Sequence, residues 1–408
     1  MFRMSQSFPH PAELLQRAKD YAKAVLRSAA SGFRVTHPDE LERRLAICQQ
    51  CPTEQFDGSG CRRCGCKISS SENVLRNKLA MATEACPDGH WGPDEGLPIT
   101  PKITVGMAMW RDFDGVYFTC RALEMYHREL AGQLEILVVD NRPELDGPID
   151  PSEPQMSRET PSQRIRNLMA QLPGGRYEVY TERQGTAAPR DAVFQLARGE
   201  IVLCIDSHVL LAPGSLARTV QWFDDSPDFD GLVQGPLSYD NGQISTHQDP
   251  VWREGMYGIW ARDVRYIGPD GGPFDIPLQG LGLFGCRRRD WLGFNPHFAE
   301  FGAEEGYIHD KYRREGREVL CLPWLEWAHR FAAVGQHATY PSSMRQRIKN
   351  YLHGRLELDQ EIDDVVQHFY GPPPHGLGRP RDELDQLVAE VWAELSPDER
   401  DRARASVG

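Results

Sequence analysis

In GEIVLCIDSHVLLAPGSL, residues 199–216, five apolar residues run unbroken from Ile201 to Ile205 and stop at Asp206. A run of this length, followed by a Pro-Gly turn signal, reads as a strand that ends at the aspartate. Asp206 and His208 stand two apart at the strand's end, where residues on an extended backbone point the same way. A carboxylate and an imidazole aimed at one point suit Mn²⁺ or a similar divalent ion, which accepts both oxygen and nitrogen ligands. Taken alone, Asp-x-His at a strand end is more often a turn with a solvated histidine.

The surrounding texture sets the fold class. Short apolar runs, ITVGMAM at 103–109 and LEILVVD at 134–140, alternate with the helical pattern of FTCRALEMYHREL at 118–130. Alternation of this kind predicts an α/β domain with a mostly parallel central sheet. Residues 141–163, rich in Pro and acidic side chains, read as a surface loop within it. At the N-terminus, Leu14, Leu15, Ala18, Tyr21, Ala22, Val25 and Leu26 recur at helical spacing. The expected organisation is an N-terminal helix (1–34), a cysteine-rich module (35–97), the α/β domain (98–370), and a linker at 371–382 leading to C-terminal helices (371–408 in all).

The chain has 408 residues and a formal net charge of −13. That charge disfavours binding of nucleic acid or an anionic membrane over the whole surface, though a local basic patch is compatible with it. No apolar run approaches the roughly 18 residues of a membrane span, and the first residues lack the apolar core of a signal peptide. A protein of bacterial or phage-infected host cytoplasm, with no membrane partner, is expected, and in that setting the ten cysteines read as reduced thiols or metal ligands.

Several separated segments share an order and spacing with one known family. TERQGTAAPRDAVFQLARGEIVLCIDSH (181–208) places Gly185, Arg190 and Gly199 ahead of the Asp-x-His. LQGLGLFGCRRRDWLGF, then GAEEGYIHDKYRREG, then the Pro323-x5-His329 spacing follow downstream. Over residues 100–355 the chain resembles the GT-A fold glycosyltransferases, and among them the polypeptide N-acetylgalactosaminyltransferases, whose metal motif is Asp-x-His. The resemblance implies a Rossmann-like nucleotide-sugar domain in which Asp206, His208 and His329 hold Mn²⁺ or Mg²⁺. It also implies a donor site formed by Ala108, Asp140, Asn141, Arg190, Asp206, Ser207 and Gly282, with a UDP-sugar as the expected donor. Glu304 and Glu305 fall where the family has its Gly-Gly-Glu-Asp/Asn pair and are the catalytic candidates on the acceptor side. The second glycine is Ala303 here, and Arg287, Arg288 and Arg289 form an unusual basic triplet; both departures leave the acceptor open. The segment after His329 resembles the part that closes over the donor, with Gly335, His337 and Tyr340 as candidates there.

Cys48, Cys51, Cys61, Cys64, Cys66 and Cys86 lie within 39 residues as C-x2-C, C-x2-C-x-C and a lone sixth. Such spacing lets short turns aim several thiolates at one Zn²⁺. Either four of the six bind one ion or a two-metal site forms, with His37 or His90 as further candidates. The segment looks like the small cysteine-rich modules of bacteriophages. Arg43, Arg44, Arg62, Arg63 and Lys67 are expected to give it a mildly basic face, so a hydroxylated base in phage DNA is one conceivable acceptor, and a protein hydroxyl another. Two alternatives stand beside glycosyl transfer: a nucleotidyltransferase, for which the required Gly-rich basic loop is missing from VGMAMWRDFDG, and a non-catalytic zinc-containing binding protein on a degenerate transferase fold.

Overall fold

The computed structural model describes residues 11–30, 35–92 except 37, 65, 72 and 74–76, 101–143, 160–330, and 341–400 except 398. The chain forms two compact units, Met1–Ile99 and Thr100–Gly408.

In the first unit, helices α1 (Pro11–Ala30) and α2 (Pro38–Gln49) precede a run of turns and isolated bridges. Its buried apolar cluster consists, among the described residues, of Leu41, Leu79, Ala80 and Trp91. Arg44 organises it: fully buried, the guanidinium donates to the carbonyls of Leu79, Met81 and Gly92 and lies 4.6 Å from the Trp91 ring centroid. One cation thereby ties three backbone carbonyls to α2, adding to the Thr36 hydroxyl already on Leu79 and the Glu84 amide already on Met81.

The second unit is built on an eight-stranded sheet. In chain order the strands are β1 (Ile103–Met109), β2 (Leu134–Asp140), β3 (Gly175–Val179), β4 (Ile201–Asp206), β5 (Val209–Leu211), β6 (Leu232–Gln234), β7 (Leu237–Ser238), β8 (Ile244–Ser245), β9 (His247–Arg253), β10 (Met256–Ala261), β11 (Phe274–Asp275), β12 (Leu283–Arg287), β13 (Val319–Cys321) and β14 (Trp327–His329). The large sheet has the order β11-β13-β6-β12-β4-β1-β2-β3, parallel from β3 to β4 and antiparallel at β12. This is the α/β architecture that the alternating pattern predicts. The helices are α3 (Phe113–Tyr126), α4 (Pro161–Gln171), α5 (Ala187–Leu196), α6 (Ser215–Asp225), α7 (Glu304–Arg314), α8 (Met344–Glu357), α9 (Asp363–Tyr370) and α10 (Arg381–Glu394).

Both sheet faces are covered, and period-two alternation sorts the side chains between them. Val105 and Met107 of β1, with Leu203 and Ile205 of β4, join residues of α3, α4 and α6. Val139, Val202 and Cys204 join α5 and α7 on the other face. At Gly106 a Cβ would stand 2.2 Å from Val193, so only glycine lets α5 lie this close over β1. No helix among the described residues is long and apolar enough to cross a membrane.

β1 pairs with β2 on one side and with β4 on the other. Consecutive connections therefore diverge from β1, and the crevice beyond the carboxyl ends of β1 and β4 is the switch point at which open α/β sheets bind ligands.

Residues 371–382 were expected to be a linker, but they join parts of one packed cluster. The backbone folds back on α9 through Leu377 N–H to the His368 carbonyl (2.8 Å) and Arg379 N–H to the Phe369 carbonyl (3.1 Å). α10 then docks Leu387 and Val391 among Ile348, Leu352, Val365 and Phe369, and Arg345 of α8 forks onto Glu390 at 2.9 and 2.7 Å.

Candidate active site

Asp206 closes β4 at the switch point, opposite Ala108 of β1 in register. The next two residues turn into β5, and β5 pairs antiparallel with β14 so that His329 faces Val209. The Arg330 amide donates to the His208 carbonyl at 3.2 Å and fixes that register. Residues 121 apart are thereby brought together: the Nε2 atoms of His208 and His329 lie 3.1 Å apart, and His329 Nε2 is 3.4 Å from Asp206 Oδ2. The ligand-capable atoms of all three lie within 4.8 Å of one another. Two imidazole nitrogens this close cannot both present bare lone pairs to each other, so a proton or a cation belongs between them.

Asp112, in the loop between β1 and α3, orients this pair. Its Oδ2 is 2.7 Å from His208 Nδ1 and accepts the Ser207 hydroxyl at 2.6 Å, while Oδ1 caps α3 through the Gly115 amide at 2.9 Å. An ionised carboxylate can only accept, so Nδ1 carries the proton and Nε2 is left to face His329 and Asp206. This is the outer-shell arrangement that orients a metal-binding histidine. Burial works against a charged His208, but the Asp112 hydrogen bond and the charges of Asp206 and Asp112 outweigh it and raise its pKa.

The other Asp206 oxygen accepts Arg190 Nη2 at 2.8 Å. Arg190 is buried at the start of α5 rather than standing on a surface helix. Burial alone would raise the Asp206 carboxyl, but Arg190 and then the two imidazoles hold it well below the usual carboxylate range. Gly282 completes the floor: its carbonyl accepts the Asp206 amide at 3.0 Å, and a Cβ there would lie 2.7 Å from the Trp327 ring and 3.4 Å from His329 Cδ2.

The remaining donor-side candidates are engaged within the protein. Ser207 is turned to Asp112. Asp140, fully buried, accepts the Ser162 hydroxyl at 2.6 Å and the Tyr177 hydroxyl at 2.7 Å. Asn141 donates to the Tyr180 and Arg183 carbonyls at 2.8 and 2.9 Å. Both cap the carboxyl end of β2, next to Ala108 and one strand from Asp206.

Glu304 and Glu305 open α7. Glu304 is buried, accepts the Gly302 amide at 2.8 Å, and takes a short hydrogen bond from the Thr186 hydroxyl. Burial first, and the Glu305 charge next, push its carboxyl up to about 7, and burial raises Glu305 as well. The Arg190 charge opposes both shifts. The start of α5 therefore brings together, about one turn apart, its N-cap threonine Thr186, which holds Glu304, and Arg190, which holds Asp206. Ala303, at the position of the expected second glycine, has φ +82°, a left-handed conformation that costs a residue with a Cβ about 1–2 kcal/mol.

The basic triplet, noted as a departure that leaves the acceptor open, lies away from this site. β12 runs antiparallel to β4, with Leu283 opposite Ile205 and Arg287 opposite Ile201, which puts the triplet at the far edge of the sheet, roughly 13 Å from the carboxyl end at about 3.3 Å per residue. Arg287 is itself buried and tied to Glu200 and the Phe223 carbonyl. In the first unit, Arg44 belongs to the core and not to a basic face. Arg43 is forked onto Glu40 and Arg63 lies 3.3 Å from Asp88, so the face is less basic than its composition suggests.

All six cysteines of that unit are free thiols, and no three of the described cysteine sulfurs lie within 4.8 Å of one another. A second close group, His297, His353 and Glu394, is also present. Lys349 already engages Glu394, and burial lowers His353 to about 4, leaving a neutral imidazole. His37 and residues 331–340, with Gly335, His337 and Tyr340, lie outside the described residues.

Residues 128–289 match the family model "Glycosyl transferase family 2". The matched span opens beside β2 and closes just past β12; it contains Asp140, Arg190, Asp206, His208 and Gly282 but not Asp112, Glu304 or His329. No curated protein matches. Among similar solved structures, GalNAc-T7 with UDP, GalNAc and Mn²⁺ shares 18% identity at TM-score 0.48, covering 74% of this chain and 56% of its own. The chain thus spans little more than half the length of that relative. The mannosyltransferase PcManGT of Pyrobaculum calidifontis, in complex with GDP-Man and Mn²⁺, shares 20% identity at TM-score 0.40, covering 76% and 74%. S. aureus TarS 1-349 with UDP-GlcNAc shares 12% at TM-score 0.39, covering 75% and 79%.

Proposed function

We propose that the second unit is a metal-dependent glycosyltransferase that moves a sugar from a nucleoside diphosphate, a UDP-sugar first among them, to a hydroxyl acceptor. The observation that carries this reading is the convergence of Asp206, His208 and His329 at the switch point, with Asp112 orienting one imidazole and Arg190 the carboxylate. Two nitrogens and a carboxylate oxygen are a donor set for Mn²⁺ or Mg²⁺ that leaves positions for phosphate oxygens. A dication bound there supplies Lewis acidity toward the diphosphate, whose negative charge grows as the sugar leaves. Arg190 adds fixed positive charge in a buried setting, where it is screened least. The match to glycosyl transferase family 2 supports the same class.

Ala108, Asp140, Asn141 and Gly282 form the walls nearest the metal residues and are proposed to shape the nucleoside and sugar pockets through backbone and packing. Glu304 or Glu305 is proposed to meet the acceptor hydroxyl. Glu304, whose carboxyl burial pushes up to about 7, accepts a proton readily at the pH where transfer would run, which suits general-base work. The acceptor hydroxyl belongs to a DNA base or a protein in this reading, and the thinner basic surface of the first unit weakens the DNA case.

Purified full-length chain, incubated with Mn²⁺ and a panel of UDP- and GDP-sugars, should hydrolyse at least one donor slowly and be stabilised by it in a thermal shift. Absence of both responses for every donor, with the metal present, would remove the transferase reading.

A further inference from the structure

Four of the six clustered thiols surround one small pocket. Cys48 at the end of α2, Cys51 after it, Cys61 and Cys86 line it together with the Trp91 ring. Three of the four sulfurs already receive hydrogen bonds of the kind a thiolate wants. Trp91 Nε1 donates to Cys48 Sγ at 3.3 Å. The backbone amides of Thr53 and Gln55 are directed at Cys51, and those of Arg63 and Cys64 at Cys61. Amides two to four residues beyond a cysteine, pointing back at its sulfur, stabilise negative charge there, because hydrogen bonds to the charged form favour it. Four cysteines lining one pocket, three of them with donors aimed at the sulfur, supply the ligand number and the chemistry of a structural zinc site.

The other two cysteines are differently occupied. Neither Cys64 nor Cys66 lines the pocket; Cys64 is hydrogen-bonded to Cys66 as well as to Cys61, and Cys66 is buried and reaches the Cys64 carbonyl at 3.6 Å. Asp88 and His90, at the same pocket, are bonded to Thr53, and Asp88 also to Arg63. The apolar core beneath is the small Leu41, Leu79, Ala80, Trp91 cluster, which is the situation in which small domains depend on a metal or crosslink.

We propose that Cys48, Cys51, Cys61 and Cys86 bind one structural Zn²⁺ as an all-sulfur tetrahedral site, and that Cys64 and Cys66 are not ligands. The inference is independent of the glycosyltransferase reading. Full-length chain purified without chelator should carry one zinc per molecule by elemental analysis, and X-ray absorption of that holoprotein should show four sulfurs at about 2.3 Å. C48S, C51S, C61S and C86S should each lose most of the zinc, whereas C64S and C66S keep it; His208→Ala should keep it as well. Two zinc ions per chain, a mixed nitrogen shell, loss of zinc in C64S or C66S, or a zinc-free wild type with its cysteines paired as disulfides would each overturn the assignment. The absorption measurement on the wild type reads the ligand set even if a serine variant fails to fold.

Discussion

Asp112→Asn tests how the metal residues are held without dismantling the helix that carries the test residue. Asp112 does two jobs with two oxygens: Oδ1 caps α3 at Gly115 (2.9 Å) and Oδ2 accepts from Ser207 (2.6 Å) and fixes His208 Nδ1 (2.7 Å). Asn is as good an N-cap as Asp, so the α3 cap survives the change. At Oδ2 the outcome differs. A neutral amide gives His208 a weaker acceptor, or a donor that opposes the Nδ1–H tautomer, and the Nε2 lone pair is no longer committed to the site. Removing a carboxylate that orients a metal ligand in this way costs about 10- to 100-fold in metal affinity, or about 1.4–2.8 kcal/mol at 1.4 kcal/mol per decade. Mn²⁺ affinity measured by calorimetry in the presence of UDP should weaken by that factor, while urea stability without metal stays within about 0.5 kcal/mol. Asp112→Ala should weaken metal binding equally and lose about 1 kcal/mol of stability with the cap. Wild-type Mn²⁺ affinity in Asp112→Asn would refute the orienting role.

Three further outcomes follow from the geometry. Glu304 has a folded-state pKa raised to about 7 from an ordinary 4.5, so the native state binds the extra proton and stability is lost as pH rises from about 4.5 to 7. Glu304→Gln should flatten that fall, and a wild-type minus variant difference in urea stability that does not decline between pH 5 and pH 8 would count against it. Ala303→Gly should relieve the φ of +82° and stabilise the chain by up to about 1 kcal/mol, read as a small rise in Tm; a fall would show that the strain is absent. Gly282→Ala would press a methyl toward the Trp327 ring at 2.7 Å, and overpacking of this kind costs about 1–3 kcal/mol. Because the same methyl abuts His329, Mn²⁺ affinity should drop too, and unchanged metal binding would show that His329 is held independently of Gly282.

What was legible in the sequence depended on range. The apolar run 201–205 and the Asp-x-His beside it are local, and the structure forms the strand and the turn as expected. His329 was reachable through a Pro-x5-His spacing, but its pairing with β5 is what physically brings it to His208. Asp112 was not legible at all. It sits in the short connection 110–112 before α3, 96 residues from its partner, and nothing local separates an orienting carboxylate from an ordinary N-cap. That Arg190 is buried was not legible either, because burial of an arginine is decided by the carboxylate that meets it. Arg44 could have been found: Leu41, Arg44, Leu45 and Cys48 follow helical spacing and share the buried stripe of α2. Its charge alone suggested a surface.

The central claim is that Asp206, His208 and His329 form one cation site that serves a nucleotide. Manganese paramagnetic resonance on the full chain, titrated with and without UDP, measures it directly. Wild-type protein should sequester one Mn²⁺ per chain, more tightly with UDP present, and His208→Ala and His329→Ala should each leave the ion free at the same concentrations. Equal Mn²⁺ uptake by wild type and both variants, or uptake indifferent to UDP, would contradict the account.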